Sequence, residues 1–307
     1  MPDTMRKATL FVALTYFFSF LLVYGYLALG GNWAAGLSFI PIVYMFIPMI
    51  MAIVVQKVIY KEPIKEPLGV SFKFNRWFLV AWLLPPIIAF LTLGISLLMP
   101  GVEYTPGMEG FIQRFQATLT PEQLEQLKAQ TSNLPVHPIW IALIEGLVAG
   151  ITVNAVAGFG EELGWRGFLL KQTGVVGFWR SSVIIGVIWG VWHAPIILQG
   201  YNYPEHPVPG VAMMTIFTLL LSPIFSYVRI KARSVIAAAI MHGALNGTFG
   251  ISIMVIQGGN DLTVGGTGLA GFIALALANI ALVVFDRFWA KEPIMWKRAE
   301  PVGGAVV

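Results

Sequence analysis

The chain has 307 residues, of which 57% are hydrophobic and only 11% are charged, and its mean hydropathy is +0.77. This composition is typical of an integral membrane protein and excludes an ordinary soluble domain. The net charge of +4 comes without the aromatic and basic pattern of a nucleic-acid groove, so no nucleic-acid partner is expected. The absence of cysteine excludes disulfides, thiolate metal sites, a cysteine nucleophile and palmitoylation.

Eight stretches of the chain are long and apolar enough to cross the lipid bilayer, since a spanning helix needs about 20 such residues. They lie near residues 8–29, 33–55, 77–99, 138–160, 181–198, 210–228, 235–257 and 268–288. The first is longer than the hydrophobic region of a signal peptide, which has about 7–15 residues, and we expect it to be retained. The sequence therefore predicts an all-α, polytopic membrane helix bundle with about eight transmembrane helices.

Lysine and arginine are distributed unevenly over the predicted loops. Two of them, Arg114 and Lys128, fall in one set of alternating loops. The other set holds Arg6, Lys7, Lys57, Lys61, Lys65, Lys73, Arg76, Arg166, Lys171, Arg180, Arg229, Lys231, Arg233, Arg287, Lys291, Lys297 and Arg298. Basic loops stay on the cytoplasmic side, so this bias predicts an even number of spans with both termini in the cytoplasm.

The longest predicted external loop covers residues 100–137. Within it Thr120 is a suitable helix cap, Pro121 suits the first helical position and Gln123 completes a capping box, so a short surface helix is expected there. The loop is too short and too polar for a second domain. We therefore predict a single membrane domain over residues 1–307, with a catalytic core near 138–257.

The sequence "EELGWR" places two glutamates at the predicted cytoplasmic end of the fourth span. Glu162 and Arg166 are four residues apart, a spacing that allows an ion pair if the helix continues. Glu161 would then be free for another role.

Two further spans carry a histidine each. In "WGVWHAP", Trp189 and His193 share one helical face, and Pro195 interrupts the hydrogen-bond ladder nearby. In "MHGALNG", His242 and Asn246 are stacked on one face. At 1.5 Å per residue, His193 lies about 18 Å beyond Ser181, and His242 lies about 10 Å beyond the basic loop at residues 229–234. The two histidines are therefore at different depths, and a kink or a deep cavity is needed for them to meet.

Paired glycines at GxxxG spacing occur in the three spans that hold these residues, and small residues at this spacing let helix backbones approach closely. The pairs are Gly146 with Gly150, Gly186 with Gly190, and Gly243 with Gly247. They predict that the three spans pack together.

A carboxylate, two imidazoles and a carboxamide in a membrane cavity suffice for the hydrolysis of an amide. A buried glutamate takes a proton from water, a histidine orients that water or protonates the leaving amine, and histidine and asparagine donors hold the developing oxyanion. This chemistry requires no metal and no cofactor. We therefore interpret the polar residues as a hydrolytic site in a cavity open to the cytoplasmic side.

The three motifs resemble those of the CPBP intramembrane proteases, which include glutamate-type CaaX prenyl endopeptidases and bacteriocin-processing and self-immunity relatives. The family pattern EExxxR matches "EELGWR", an aromatic residue followed by xxxH matches "WGVWH", and HxxxN matches "HGALN". The resemblance implies that Glu161 activates water with His193 as its partner. It further implies an oxyanion site at His242 and Asn246, with supporting roles for Glu162, Arg166 and Trp189. The family usually has phenylalanine where this chain has Trp189.

Structural roles compete with functional ones at several of these positions. An ion pair at a helix end is the simpler role for Glu162 and Arg166, and packing or anchoring at the interface is the simpler role for Trp189. Glu145 lies about 24 Å from Glu161 along a straight helix and is expected to have a separate role. Asn154, Asn279 and Asp286 are left unassigned.

Other classes of protein also use intramembrane glutamate and histidine. A proton-coupled transporter would show inverted repeats, and none is visible. A zinc protease would carry HExxH, and none of the four histidines fits it. A non-catalytic membrane scaffold or immunity protein remains open. The expected partners are the bilayer and a membrane-associated peptide or lipidated protein substrate.

Overall fold

The computed structural model describes residues 3–37, 39–115, 122, 124–126, 129 and 136–296, and it is almost entirely helical. The α-helices are α1 (Asp3–Ala28), α2 (Trp33–Gly36), α3 (Ile40–Ile53), α4 (Arg76–Ser96), α5 (Glu109–Phe115), α6 (Pro138–Ile151), α7 (Val153–Glu162), α8 (Leu170–Thr173), α9 (Phe178–Trp192), α10 (Ala194–Ile197), α11 (Pro207–Ala232), α12 (Val235–Thr248), α13 (Ile251–Met254) and α14 (Leu269–Phe288). Two π-helical segments, Val54–Ile59 and Leu163–Leu169, and a 3-10 turn, Gly174–Val176, extend three of them. Two short antiparallel strands, β1 (Glu103–Tyr104) and β2 (Ile256–Gln257), pair Glu103 with Gln257.

Seven of the eight predicted spans correspond to long apolar helices, which confirms the all-α polytopic bundle. They are Asp3–Ala28, Ile40–Ile59, Arg76–Ser96, Phe178–Ile197, Pro207–Ala232, Val235–Met254 and Leu269–Phe288. The second begins at Ile40 rather than near residue 33, because residues 33–36 form the separate helix α2 behind the cap Asn32.

The fourth predicted span, 138–160, is wrong at its C-terminal end. The segment forms a bent pair, Pro138–Ile151 and Val153–Val176, with an angle of 53° between the halves. Glu161 and Glu162 therefore lie inside the second half, and not at the cytoplasmic end of a span. The helix continues because the residues after the glutamates, including Leu163, Trp165 and Phe168, are buried.

Contacts between loops define one face of the bundle, which we call the basic face: Lys7, Lys171 and residues 60–75, 229–235 and 289–296. Glu62 bonds Lys7 at 2.6 Å and Lys171 at 3.4 Å. Asn75 caps α4 and donates to the Ala232 carbonyl at 3.0 Å, and Lys231 donates to the Glu292 carbonyl. Both ends of the described chain therefore lie on this face.

Contacts on the opposite face join the remaining loops. The strand pairing links residues 103–104 to 256–257, and the Tyr104 hydroxyl lies 3.3 Å from His137 Nε2. Asp261 accepts from the backbone N–H of Glu205 at 2.8 Å. Because His137 lies on this face and Lys171 on the basic face, the bent pair runs from one face to the other, and counted as one span it brings the number of candidate spans to eight.

The glycine pairs of two spans pack as predicted, whereas the third pair packs elsewhere. Gly146 and Gly150 on α6 meet Gly247 and Ala244 on α12, where an added Cβ at position 150 would lie 2.7 Å from the Ala244 Cα. Gly186 and Gly190 instead face Leu219, Thr215 and Thr218 of α11. Thr218 donates from its hydroxyl to the Gly186 carbonyl at 2.8 Å, so this pair serves a different helix contact.

Thr120, Pro121 and Gln123, from which the short surface helix is expected, lie outside the described residues. The single-domain organisation and the limits of its core stay predictions.

Candidate functional site

Glu161 and Glu162 are the last residues of α7, directly before the π-helical turn Leu163–Leu169. Their side chains are 4% and 0% exposed, respectively. Gly158, Gly160 and Gly164 allow this stretch to approach its neighbours closely, since an added Cβ at each would meet α12 or α3 within about 3 Å. The two carboxylates are therefore held inside the bundle.

The carboxylate of Glu161 has two differently placed oxygens. Its Oε2 accepts a hydrogen bond from the indole of Trp189 at 2.7 Å and from that of Trp165 at 3.3 Å. Its Oε1 faces His242 Nε2 at 3.8 Å. The indoles thus fix the carboxylate, and Oε1 is directed towards the imidazole.

Glu162 joins the other charged groups through a single oxygen. Its Oε1 bonds His242 Nδ1 at 2.8 Å and Arg166 Nη1 at 3.2 Å. The Arg166 Cζ lies 4.3 Å from the Trp189 ring centroid and 4.8 Å from that of Phe225. The predicted pair of Glu162 and Arg166 is therefore present, but it lies in the protein interior with no exposed side-chain surface. Arg166 accordingly does not belong to a basic loop.

His193 lies where helix α9 ends. Its backbone N–H bonds the Gly190 carbonyl at 3.1 Å, which leaves the Trp189 carbonyl to accept from His193 Nδ1 at 2.7 Å. A carbonyl only accepts, so Nδ1 carries the hydrogen and, in the neutral ring, Nε2 carries the lone pair. The Trp189 ring lies 6.1 Å from the His193 ring and 5.7 Å from the His242 ring, so it adjoins both imidazoles.

The structure brings together Glu161, Glu162, Arg166, Trp189 and His242, and His193 adjoins this group through its contact with Trp189. Asn246 is exposed one turn after His242, and its side chain is not part of the hydrogen-bonded cluster. Glu161 is buried in this conformation, so a cavity that opens to the cytoplasmic side stays a prediction.

The residues that the sequence left unassigned hold backbone elements together. Asn154 donates to the Gly243 carbonyl at 3.4 Å, and Asn279 donates to the carbonyls of Leu220 and Leu275, each at 2.8 Å. Asp286 accepts from the Tyr227 hydroxyl at 2.9 Å and from the backbone N–H of residues 294 and 295. Glu145 is exposed on α6.

Three aromatic residues near the site were not predicted from the sequence. Trp165 follows Glu161 by four residues, and this spacing is a sequence signal for the observed hydrogen bond. Phe225 on α11 contacts Arg166 and also lies 6.0 Å from His242, but no polar motif marks it. Tyr201 lies in the loop after α10. Burial is the larger cause that raises the pKa of its phenol, and the nearby Glu161 carboxylate is the second.

The charges of the buried cluster constrain its proton content. Two carboxylates and one guanidinium leave a net negative charge, and an uncompensated charge is costly in a membrane interior. One added proton would neutralise the cluster, and on His242 it would give an N–H donor at Nε2, opposite Glu161. Within the described part of the chain, no three histidine, cysteine, aspartate or glutamate side chains form a group that could hold a metal ion.

Residues 138–248 match the model of a family described as "Type II CAAX prenyl endopeptidase Rce1-like". All three sequence motifs lie inside this segment, so the match confirms the resemblance to the CPBP proteases. At the level of the family, it supports an intramembrane protease of the CAAX type. No curated protein matches the chain.

Proposed function

We propose that this protein is a metal-independent, glutamate-type intramembrane endopeptidase that cleaves membrane-associated substrates, including the C-terminal tails of prenylated CaaX proteins. The observation that carries the proposal is the arrangement around Glu161. Two indole donors hold one carboxylate oxygen, while the other faces an imidazole at 3.8 Å. This arrangement suits a base that must keep a fixed direction while it takes a proton.

Glu161 acts on a water molecule at its Oε1. The water oxygen attacks the peptide carbonyl as Glu161 takes the proton, and the tetrahedral intermediate then expels the amine, which receives that proton. His193 accepts a hydrogen bond from the attacking water through its Nε2 lone pair. Every proton in these reaction steps comes from water or from the protein.

The oxyanion is held by His242 and Asn246. Protonated His242 presents an N–H at Nε2, and its Nδ1–H is anchored by Glu162 at 2.8 Å, so the donor is oriented before the reaction begins. Asn246, one turn further along α12, supplies a carboxamide N–H. Glu162 and Arg166 support this arrangement, and Trp189 orients Glu161.

The test is cleavage of a farnesylated CaaX peptide by the detergent-purified protein, followed by mass spectrometry. Glu161→Gln keeps the shape and removes the base, so we expect kcat to fall by about 100-fold or more. Glu145→Gln is the matched control, since Glu145 is exposed on α6 and should leave kcat unchanged. Retention of more than a tenth of the rate by Glu161→Gln would contradict the assignment of the base.

The same assay separates this mechanism from its alternatives. Activity should survive dialysis against a strong chelator, because the proposed chemistry needs only protein groups and water. Loss on chelation with recovery on stoichiometric zinc would recast Glu161, His193 and His242 as metal ligands. A wild-type protein that binds the peptide without cleaving it would favour a scaffold or immunity protein.

A further inference from the structure

The backbone at His193 departs from regular helix, and this departure leaves one carbonyl in need of a partner. In a continuous helix the Trp192 carbonyl would accept from the N–H of residue 196. Here the N–H of Ile196 bonds the His193 carbonyl instead, at 3.2 Å. Pro195, which has no N–H, prevents the ladder from closing across this point.

A tyrosine from another helix supplies the missing partner. The Tyr44 hydroxyl on α3 donates to the Trp192 carbonyl at 2.5 Å, and the Tyr44 ring lies 4.4 Å from the Trp192 ring. Only 1% of Tyr44 is exposed, so water does not compete for this bond. The indole of Trp192 in turn donates to the Ser19 hydroxyl of α1 at 2.7 Å.

We infer that Tyr44 is a positioning residue for His193: its hydroxyl holds the helix break at Trp192, and the break fixes the direction and tautomer of the imidazole. The link is the Trp189 carbonyl. It is available to His193 Nδ1 because the His193 N–H bonds Gly190 and not Trp189. If the helix closed regularly through His193, the backbone N–H would compete for that carbonyl. The catalytic part of this inference rests on the proposed function, whereas the tautomer does not.

A second tyrosine on α1 provides a natural comparison. Tyr16 donates to the Ile188 carbonyl at 2.6 Å, four residues before Trp192. Ile188 lies inside α9, where its carbonyl keeps a helical backbone partner. The two tyrosines therefore make similar bonds to the same helix, but only the one from Tyr44 serves a carbonyl that the break has released.

The test compares Tyr44→Phe with Tyr16→Phe. Each removes one hydroxyl and keeps the ring. For Tyr44→Phe we expect kcat on the farnesylated peptide to fall about tenfold with KM within twofold of wild type, because a small displacement of a reacting group is costly. Isotope-labelled histidine NMR should show His193 as the Nδ1–H tautomer in the wild type and in Tyr16→Phe, and as a mixture in Tyr44→Phe.

The cleavage rate and the His193 NMR spectrum test different claims. If the wild type cleaves no peptide, the proposed function is wrong, but the NMR comparison still decides whether Tyr44 sets the tautomer. An unchanged His193 spectrum in Tyr44→Phe, or equal effects of the two tyrosine variants, would overturn the inference. Should Tyr44→Phe not fold, Ser19→Ala removes the acceptor of the Trp192 indole and is expected to give the same shift in tautomer.

Discussion

The two adjacent glutamates have separate duties, although their sequence context is the same. Glu162 uses one oxygen to bond both His242 and Arg166. Glu161 bonds two indoles and keeps its other oxygen directed at His242. The ion pair of Glu162 and Arg166 could be predicted from the spacing. The Trp189 hydrogen bond to Glu161 could not, because it depends on how α9 packs against the turn after α7.

The ion pair of Glu162 and Arg166 leads to a prediction about stability. Glu162→Gln keeps the size of the side chain and leaves the Arg166 guanidinium buried without its counter-ion. Breaking such a pair from one side typically costs about 3–5 kcal/mol of the free energy of unfolding. We therefore expect Glu162→Gln to melt at a much lower temperature in detergent than the wild type.

The double variant Glu162→Gln/Arg166→Met is the matched control for this prediction. It removes both charges and places a thioether between the Trp189 and Phe225 rings, a contact that sulfur makes favourably. Its melting temperature should lie above that of Glu162→Gln, although His242 still lacks its carboxylate partner. A double variant less stable than the single one would show that the guanidinium is not the destabilising charge.

At the scale of helices, the sequence predicted most spans but misjudged the segment that carries the glutamates. A run of charged residues predicts the membrane surface, and this holds for α14, which ends near Arg287. At Glu161 the charges are instead balanced internally by Arg166 and His242. A hydropathy pattern does not contain this information, since it depends on partners from α12.

The glycine pattern shows the same limit. Spacing alone predicted that three spans meet through GxxxG pairs, and α6 and α12 do so. The pair on α9 meets α11, because Thr218 and Leu219 provide the complementary surface there. Local sequence therefore indicates that a close contact exists, whereas the identity of the partner is decided by the whole bundle.

The contact between α6 and α12 can be tested with a single methyl group. In Gly150→Ala the new Cβ would lie 2.7 Å from the Ala244 Cα, which is backbone and cannot rotate away. Overpacking of this kind costs about 1–3 kcal/mol. We expect a lower melting temperature and, because α12 carries His242, a lower peptidase rate.

Gly94→Ala provides the comparison on α4. Nothing lies within 4 Å of a Cβ added there, and alanine favours helix over glycine by about 1 kcal/mol. This variant should be as stable as the wild type or more so. If Gly150→Ala behaved like Gly94→Ala, the close approach of α6 and α12 would not be what positions His242.

At the scale of the whole molecule, loop contacts and charge agree on one arrangement. The basic face joins Lys7, Lys171 and the loops around residues 60–75 and 229–235, and the opposite face carries the two strands and His206 with Asp261. Arg166 lies in the interior and not in a basic loop, but the other lysines and arginines still favour the same set of loops. With the bent pair counted as one span, the contacts agree with an even number of crossings, whereas they do not show which compartment each face meets.

The orientation of the protein in the membrane is therefore the last prediction. It can be tested directly, because the chain has no cysteine. Lys73→Cys and Glu103→Cys each place one thiol at an exposed position, the first on the basic face and the second on the opposite one. Because basic loops are retained in the cytoplasm, an impermeant maleimide applied to intact cells should label position 103 and leave position 73 unlabelled until the membrane is opened. The reverse pattern would place both ends of the described chain outside the cytoplasm and the Glu161 cluster in the inverted orientation. Labelling of both positions from outside would contradict the separation into two faces, and with it the bent pair as the eighth crossing.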